Sequence, residues 1–375
     1  MTNLLLVINA VLLLGLGQAA DADVPPHYRL TVLPLTFQRS DELNNTRLPG
    51  GGINNSGQIS GEAIVRSGRF SDDRAAVWQQ GKPIIILDKT PVTKDKKEKD
   101  PTNSNHTFST AINVHGAVSG GNFLTFSGAY SGILCRAFFW QGDRMQEITG
   151  FPEQCVGLAF GLNDKEWIVG SYAYNPPMPG VDAVPPPNAA GTHAFLFRNG
   201  HVLPLWSGAA RGINNRGQII GTLDSGGYNR REDKGILWQD GHTTLLAMQP
   251  AAINEHGEIA GNISVSEDNG KACIWEHGRL TYLSRQISDA YALNNRSQVV
   301  GEIGNAESSR PTHAVLWQEG QTYDLNRTLS LPRGWVLTSA LGINDKGWII
   351  GEGSIYKIPK GRQMPKSFTF LLTPQ

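Results

Sequence analysis

The chain has 375 residues with 33 basic and 33 acidic side chains, a balance that offers nothing to a polyanion and argues against a nucleic-acid partner. Its length exceeds the roughly 100–200 residues of a usual domain, but propellers and barrels run longer as single units. Three cysteines, Cys135, Cys155 and Cys273, are too few for a disulfide framework, and no Cys/His spacing resembles a zinc site.

The first element in chain order is an apolar run, Leu4 to Leu16, broken only by Asn9 and followed by small residues up to Ala22. It reads as a signal peptide over residues 1–22, although no Lys or Arg precedes the run. It is shorter than the roughly 20 residues a spanning helix needs, so no membrane span is expected. Residues 23–375 then form one domain, secreted, periplasmic or on the cell surface. Next comes an isolated strand, Tyr28 to Leu33, which belongs to no repeat of its own.

From Ile53 onward a nine-residue phrase, Ile/Leu-Asn-x-x-Gly-x-Ile/Val-x-Gly, occurs seven times, with its Asn at 54, 113, 163, 214, 254, 294 and 344. Its first glycine is replaced by Glu166 and Ser297 in two copies. A second phrase follows each copy: a basic residue, a small residue, two mostly apolar residues and an aromatic, as in Arg74-Ala75-Ala76-Val77-Trp78. The first phrase predicts strand A, a tight Asn-x-x-Gly hairpin and strand B, because Asn bonds its own following backbone and Gly accepts positive φ. The second phrase predicts strand C, and pairs such as Asn199-Gly200 and Asp240-Gly241 fit two-residue turns into strand D. Helical periodicity is nearly absent, so the expected fold is all-β: a seven-bladed β-propeller of four-stranded antiparallel blades. The chain ends on strand C of the seventh repeat, so the N-terminal strand is expected to complete the last blade. An open solenoid is the alternative.

The two phrases resemble the HAF repeat family of exported bacterial proteins, named for the His-Ala-Phe found here at His193-Ala194-Phe195. The resemblance spans nearly the whole chain after residue 22, and it implies an extracellular setting and no defined activity. Only one copy reads His-Ala-Phe literally.

The A–B and C–D turns are short and uniform while the B–C and D–A connections vary, which puts all variation on one face. Loops on a rigid scaffold concentrate binding, so that face is the expected binding surface. Its largest contributors are residues 88–110, 172–192, 223–233 and 326–334. Tyr172, Tyr174, Trp206 and Tyr228 lie on or near these loops as candidate stacking residues for a protein or carbohydrate ligand. Two recurrent positions read as scaffold. One is a basic set, Arg74, Arg136, His193, Lys234, Lys271, His313 and Lys366, with Glu62, Glu302 and Glu352 expected to face Arg74, His313 and Lys366. The other is an aromatic set, Trp78, Trp140, Phe197, Trp238, Trp275, Trp317 and Phe370, expected between blades. Cys135 and Cys155 flank one hairpin and are close enough in sequence for a disulfide to remain open.

No catalytic, phosphate-binding, calcium or zinc motif is found, so no catalytic residue, metal ligand or cofactor is assigned. The expected function is a monomeric, non-enzymatic binding module. The alternative is a propeller-type hydrolase or lyase with acidic residues at the channel mouth, drawn from Asp72, Asp73, Asp224, Glu232 and Asp233.

Overall fold

The computed structural model describes residues 26–35, 40–41, 46–47, 51–67, 70–82, 84–88, 105–126, 132–152, 155–174, 191–224, 234–266, 269–304, 312–356 and 365–375. The expected signal peptide, Tyr228, Glu232, Asp233 and most of the long connections fall outside these residues.

Strand β1 (Tyr28–Val32) is followed by a small hairpin, β2 (Ser40–Asp41) and β3 (Thr46–Arg47). The first repeat forms β4 (Gly52–Ile53), β5 (Gln58–Ser67), β6 (Phe70–Gln79) and β7 (Ile85–Ile86). The second forms β8 (Asn105–Ile112), β9 (Val118–Phe126), β10 (Gly132–Gln141) and β11 (Arg144–Glu147). The third and fourth share a strand: β12 (Cys155–Leu162), β13 (Ile168–Tyr174), β14 (Thr192–Arg198), β15 (His201–Ile213), β16 (Ile219–Leu223), β17 (Lys234–Gln239) and β18 (His242–Leu246). The fifth holds β19 (Gln249–Ile253), β20 (Ile259–Ser266), β21 (Asn269–Glu276) and β22 (Arg279–Tyr282). The sixth holds β23 (Ser288–Leu293), β24 (Val299–Ile303), β25 (His313–Gln318) and β26 (Gln321–Asp324). The last holds β27 (Trp335–Ile343), β28 (Ile349–Ile355) and β29 (Lys366–Pro374). Helical structure among the described residues is one 3-10 turn, Leu325–Arg327, and no described helix is long and apolar enough to cross a membrane.

The protein is thus all-β, built mainly of four-stranded antiparallel sheets. In one of them β1 is the outer strand, with Tyr28 opposite Pro374 and Val32 opposite Phe370. The third and fourth repeats differ from the sequence expectation, because no D–A loop separates them. Strand β15 pairs with β14 up to Ser207 and with β16 from Gly208 onward, which fuses two four-stranded sheets into one of seven strands.

The phrase residues form these elements for local reasons. The first glycine sits at positive φ, from 75° to 83° at Gly57, Gly116, Gly217, Gly257 and Gly347, and Glu166 and Ser297 adopt the same left-handed region at 61° and 57°. The closing glycine has a separate cause. In six repeats strand A carries a β-bulge shortly before the repeated Asn, between Ala290 and Ala292 for example, and there a carbonyl lies against the facing glycine. A Cβ on Gly301 would stand 1.9 Å from the Asp289 carbonyl oxygen.

Alternation along each strand sends residues to two faces, and each face packs on a neighbouring repeat. Ala75 and Val77 of β6 pack against Val118, Phe138 and Trp140 of the second repeat. Ile59, Ala63 and Ala76 of the first repeat meet Leu341, Ile350 and Leu371 of the last. Of the recurrent aromatics, Phe370 (0% exposed), Trp317 (2%) and Trp140 (7%) are in the core. Trp78, Phe197, Trp238 and Trp275 only border it.

Candidate functional site

Every repeated Asn is buried, and each does two jobs. Its Oδ1 accepts from the backbone N–H groups two and four residues on, as Asn54 does from Ser56 and Gln58 at 3.0 Å, which fixes the hairpin. Its Nδ2 donates to the backbone carbonyl of the next repeated Asn. The rungs run from Asn54 to Asn113 (2.9 Å), Asn113 to Asn163 (3.2 Å), Asn163 to Asn214 (3.1 Å) and Asn214 to Asn254 (3.0 Å). They continue from Asn254 to Asn294 (3.1 Å) and Asn294 to Asn344 (2.9 Å), and return from Asn344 to Asn54 at 2.9 Å. The amide carries its donor and its acceptor on separate atoms of one short stem, whereas an ionised Asp only accepts and could not make the rung.

The residues immediately after these asparagines form a second polar tier. Asp164 accepts from Val114 N–H (3.1 Å), Glu255 from Asn215 N–H (2.9 Å) and Asp345 from Asn295 N–H (2.8 Å). Asn215, Asn295 and Asn55 accept in turn from the N–H groups of Asp164, Glu255 and Asp345 at 2.8–2.9 Å. Burial pushes the Asp345 carboxyl up, but hydrogen bonds from Asn55 and Asn295 and the charge of Arg296 outweigh it and hold the group below its usual range. The two tiers, with the preceding Ile or Leu of each phrase, line an axial cavity of about 180 Å³. The carboxylates here are engaged as hydrogen-bond acceptors at the uniform, A–B turn end of the molecule.

The opposite end is irregular. The β5–β6 ladder reaches Ser67 opposite Phe70, and β20–β21 reaches Ser266 opposite Asn269. The corresponding β16–β17 and β24–β25 ladders stop at Leu223 opposite Lys234 and Ile303 opposite His313.

Of the expected stacking residues, Tyr172, Tyr174 and Trp206 lie among the described residues. Tyr172 is 3% exposed, with its ring 5.6 Å from Phe151 and stacked 5.3 Å from His193. A ring spent on that packing is not available to an external ligand, which corrects its placement on a binding surface. Trp206 is partly buried, and its indole N–H donates to the Thr222 carbonyl at 2.9 Å. Tyr174 is half-buried at the end of β13, opposite Cys155. All three cysteines are thiols, so Cys135 and Cys155 are not bridged.

The expected Glu–basic pairs are also corrected, and the register explains why. Glu62 stands opposite Ala75 and Glu302 opposite Ala314, so Arg74 and His313, one residue earlier, project to the other face. Lys366 stands opposite Ile355, three positions from Glu352. The basic residues instead meet acids near strand D: buried Arg74 with buried Asp88, Arg136 with Glu147 at 2.8 Å, and His313 with Asp324 at 2.9 Å.

The face that Glu62 does occupy holds a compact group. Asp73, opposite Ile64 on β6, shares that face, and the second repeat brings His106 of β8 against it. His106 Nε2 is 3.0 Å from Glu62 Oε2, and ligand atoms of Glu62, Asp73 and His106 all lie within 4.8 Å of one another. Burial raises the Glu62 carboxyl above its usual range, His106 pulls it back, and the charge of Asp73 adds to the rise. Sequence spacing concealed this group, since His106 is 44 residues from Glu62 and stands in no motif. Of the acidic residues expected at the channel mouth, Asp73 belongs to this group, and Glu232 and Asp233 lie outside the described residues.

No family model matches the chain, and no curated protein matches it. Among solved structures it is similar to the β-propeller domain of the Trilobed protease from Pyrococcus furiosus, at 8% identity over 93% of this chain and 94% of that one, with a TM-score of 0.49. It is similar to a puromycin-hydrolyzing peptidase of Mycobacterium tuberculosis at 12% identity, covering 80% of this chain and 52% of that one, with a TM-score of 0.45. For the acylaminoacyl peptidase of Pyrococcus horikoshii the identity is 13%, the coverage 84% and 58%, and the TM-score 0.41.

Proposed function

We propose that this protein is an exported, non-enzymatic binding module: a seven-bladed β-propeller, closed by its N-terminal strand, that presents the B–C and D–A connections of one face to a protein or glycan. Seven Asn rungs that return from Asn344 to Asn54 support the closed ring, as does the apolar cluster joining the first repeat to the last. The N-terminal strand β1 on the edge of β29 supports the closing of the last blade. Export, and membership of the HAF repeat family, belong to the same proposal and rest on residues 1–22 and on the two repeated phrases.

The observation that carries the binding role is the contrast between the two ends. At the A–B end seven turns are tied into two hydrogen-bonded tiers, an arrangement whose polar groups are consumed by the scaffold. At the other end the B–C ladders differ in length from repeat to repeat, and variation on a rigid frame is what recognition requires. The hydrolase or lyase alternative wants a raised carboxylic acid beside an ionised one. Among the described residues Glu62, whose carboxyl burial raises, stands beside Asp73 at the interface of two repeats and away from the axial cavity.

The test is a glycan array run beside a pull-down from extracellular material, using the intact protein and a variant with residues 176–187 replaced by a short Gly-Ser linker. Loss of a glycan or protein signal in the variant alone supports the reading and says which ligand class applies. Equal binding by both proteins refutes the loop-face assignment.

A further inference from the structure

We propose that Glu62, Asp73 and His106 form a binding site for a divalent transition-metal ion, such as Zn²⁺ or Mn²⁺, at the junction of the first two repeats, with coordination positions left for an exogenous oxygen ligand. The three residues offer two carboxylate oxygens and one imidazole nitrogen, all within 4.8 Å. Ligands held about 2.1 Å from a tetrahedral ion lie about 3.4 Å apart. Glu62 Oε2 and His106 Nε2, at 3.0 Å, already have the spacing of adjacent ligands. Asp73 is exposed, so its side chain is the adjustable member.

Three features set this group apart from a chance gathering of charged side chains. First, it is built on paired strands: Glu62 is 5% exposed on β5, and β5 and β6 are held in register through Glu62–Ala75 and Ile64–Asp73. The second repeat is clamped to the first beside it by Thr107 Oγ1, which accepts from Ala75 N–H at 3.0 Å, and by Ser109 Oγ, which donates to the Gly61 carbonyl at 3.2 Å. His106 is therefore positioned by the junction itself. Second, the neighbouring Arg74 stands opposite Ala63 on the other face of the ladder, where it is bound by Asp88. Third, the donor set is mixed. The imidazole nitrogen suits borderline Zn²⁺ and the two carboxylates suit both Zn²⁺ and the harder Mn²⁺, whereas Ca²⁺ and Mg²⁺ prefer oxygen alone. The equivalent glutamate of the sixth repeat, Glu302, instead receives a hydrogen bond from Ser339, and among the described residues no second group of three such ligands occurs.

Ligation replaces the Glu62–His106 hydrogen bond with two bonds to the ion, His106 binding through the Nε2 lone pair of its neutral ring. Three protein ligands leave at least one position open. The open side lies toward the B–C end, because His106 is near the start of β8, remote from the Asn113 turn. The inference concerns the first and second repeats alone and does not depend on the proposed binding role of the loop face.

The experiment is isothermal titration of untagged, chelator-treated protein with Zn²⁺ and separately with Mn²⁺, and Ca²⁺ as the comparison ion. We expect one equivalent of Zn²⁺ or Mn²⁺, bound more tightly than Ca²⁺. Removing a partner in the outer shell of a metal site costs about 10–100-fold in affinity, so Asp73→Asn and His106→Ala should each weaken binding at least about tenfold. His313→Ala, which alters a histidine paired with Asp324 in the sixth repeat, should leave affinity unchanged. Because Asp73 is exposed, Asp73→Asn is expected to keep the wild-type circular dichroism and melting temperature. Absence of stoichiometric Zn²⁺ or Mn²⁺ binding, full affinity in Asp73→Asn or His106→Ala, or loss of affinity in His313→Ala would overturn the assignment.

Discussion

Replacing Asn344 by Ala tests the rung that joins the last repeat to the first. Asn344 is 4% exposed; it accepts from Lys346 and Trp348 N–H at 3.1 and 3.0 Å and donates to the Asn54 carbonyl at 2.9 Å. Each such bond is worth about 0.5–1.5 kcal/mol net, so three give about 2–4 kcal/mol, with a buried carbonyl at Asn54 left without its donor. At about 2.1 cal/mol/K per residue, a domain of this size unfolds with an entropy near 0.7 kcal/mol/K, so a loss of about 3 kcal/mol lowers Tm by about 4 °C. Two further variants separate the contributions. Asn344→Asp keeps both acceptor bonds but sets a carboxylate oxygen against the Asn54 carbonyl, so it should be no better than Asn344→Ala. Asn55→Ala removes two bonds of a partly buried side chain, to Asp345, and should cost less. The assay is guanidinium unfolding followed by tryptophan fluorescence. Wild-type stability in Asn344→Asp, or equal losses in Asn344→Ala and Asn55→Ala, would refute the view that the amide rung holds the last repeat to the first.

Three other outcomes are expected. Gly301→Ala puts a Cβ 1.9 Å from the Asp289 carbonyl and should destabilise the protein by more than the roughly 0.5–1 kcal/mol gained when a glycine in an ordinary strand becomes alanine; a stabilised variant in thermal melting would show that the bulge does not constrain this position. Trp317→Ala, at a fully packed site, should cost about 3–5 kcal/mol, and Trp275→Ala, which only borders its cluster, measurably less; the reverse order in denaturant melts would misassign the core. Asp345 has a folded pKa held below its usual 3.8, so its contribution is present above that value and is lost as pH falls through the folded pKa. Asp345→Asn should therefore be less stable than wild type at neutral pH, and the gap should close in acid; a gap independent of pH would remove the charge from the explanation.

The repeats were legible in the sequence because their causes are local. An Asn that bonds backbone two and four residues on, and a residue at positive φ three positions later, act within one turn, so the pattern reveals seven hairpins without any tertiary contact. That Glu166 and Ser297 take the glycine conformation shows the turn to be imposed by the Asn and the strands, since neither residue favours it alone. The second job of the Asn was not legible, because its partner carbonyl is 40 to 59 residues away in six copies and 290 residues away for Asn344, and nothing in either phrase names it.

The site residues divide along the same line. Alternation by itself cannot say whether Glu62 stands opposite Ala75 or Arg74, and one residue of register decides whether it meets a guanidinium or an imidazole of the next repeat. Likewise Tyr172 lies at the start of a variable connection in the sequence, yet neighbouring Phe151 and His193 make it core. Turn chemistry, strand period and repeat number were therefore determined by the sequence, since each depends on neighbours along the chain. Which faces meet, which carboxylate finds which base, and where β15 carries two sheets without a loop were decided only by tertiary packing, where contacts join residues that are remote in sequence.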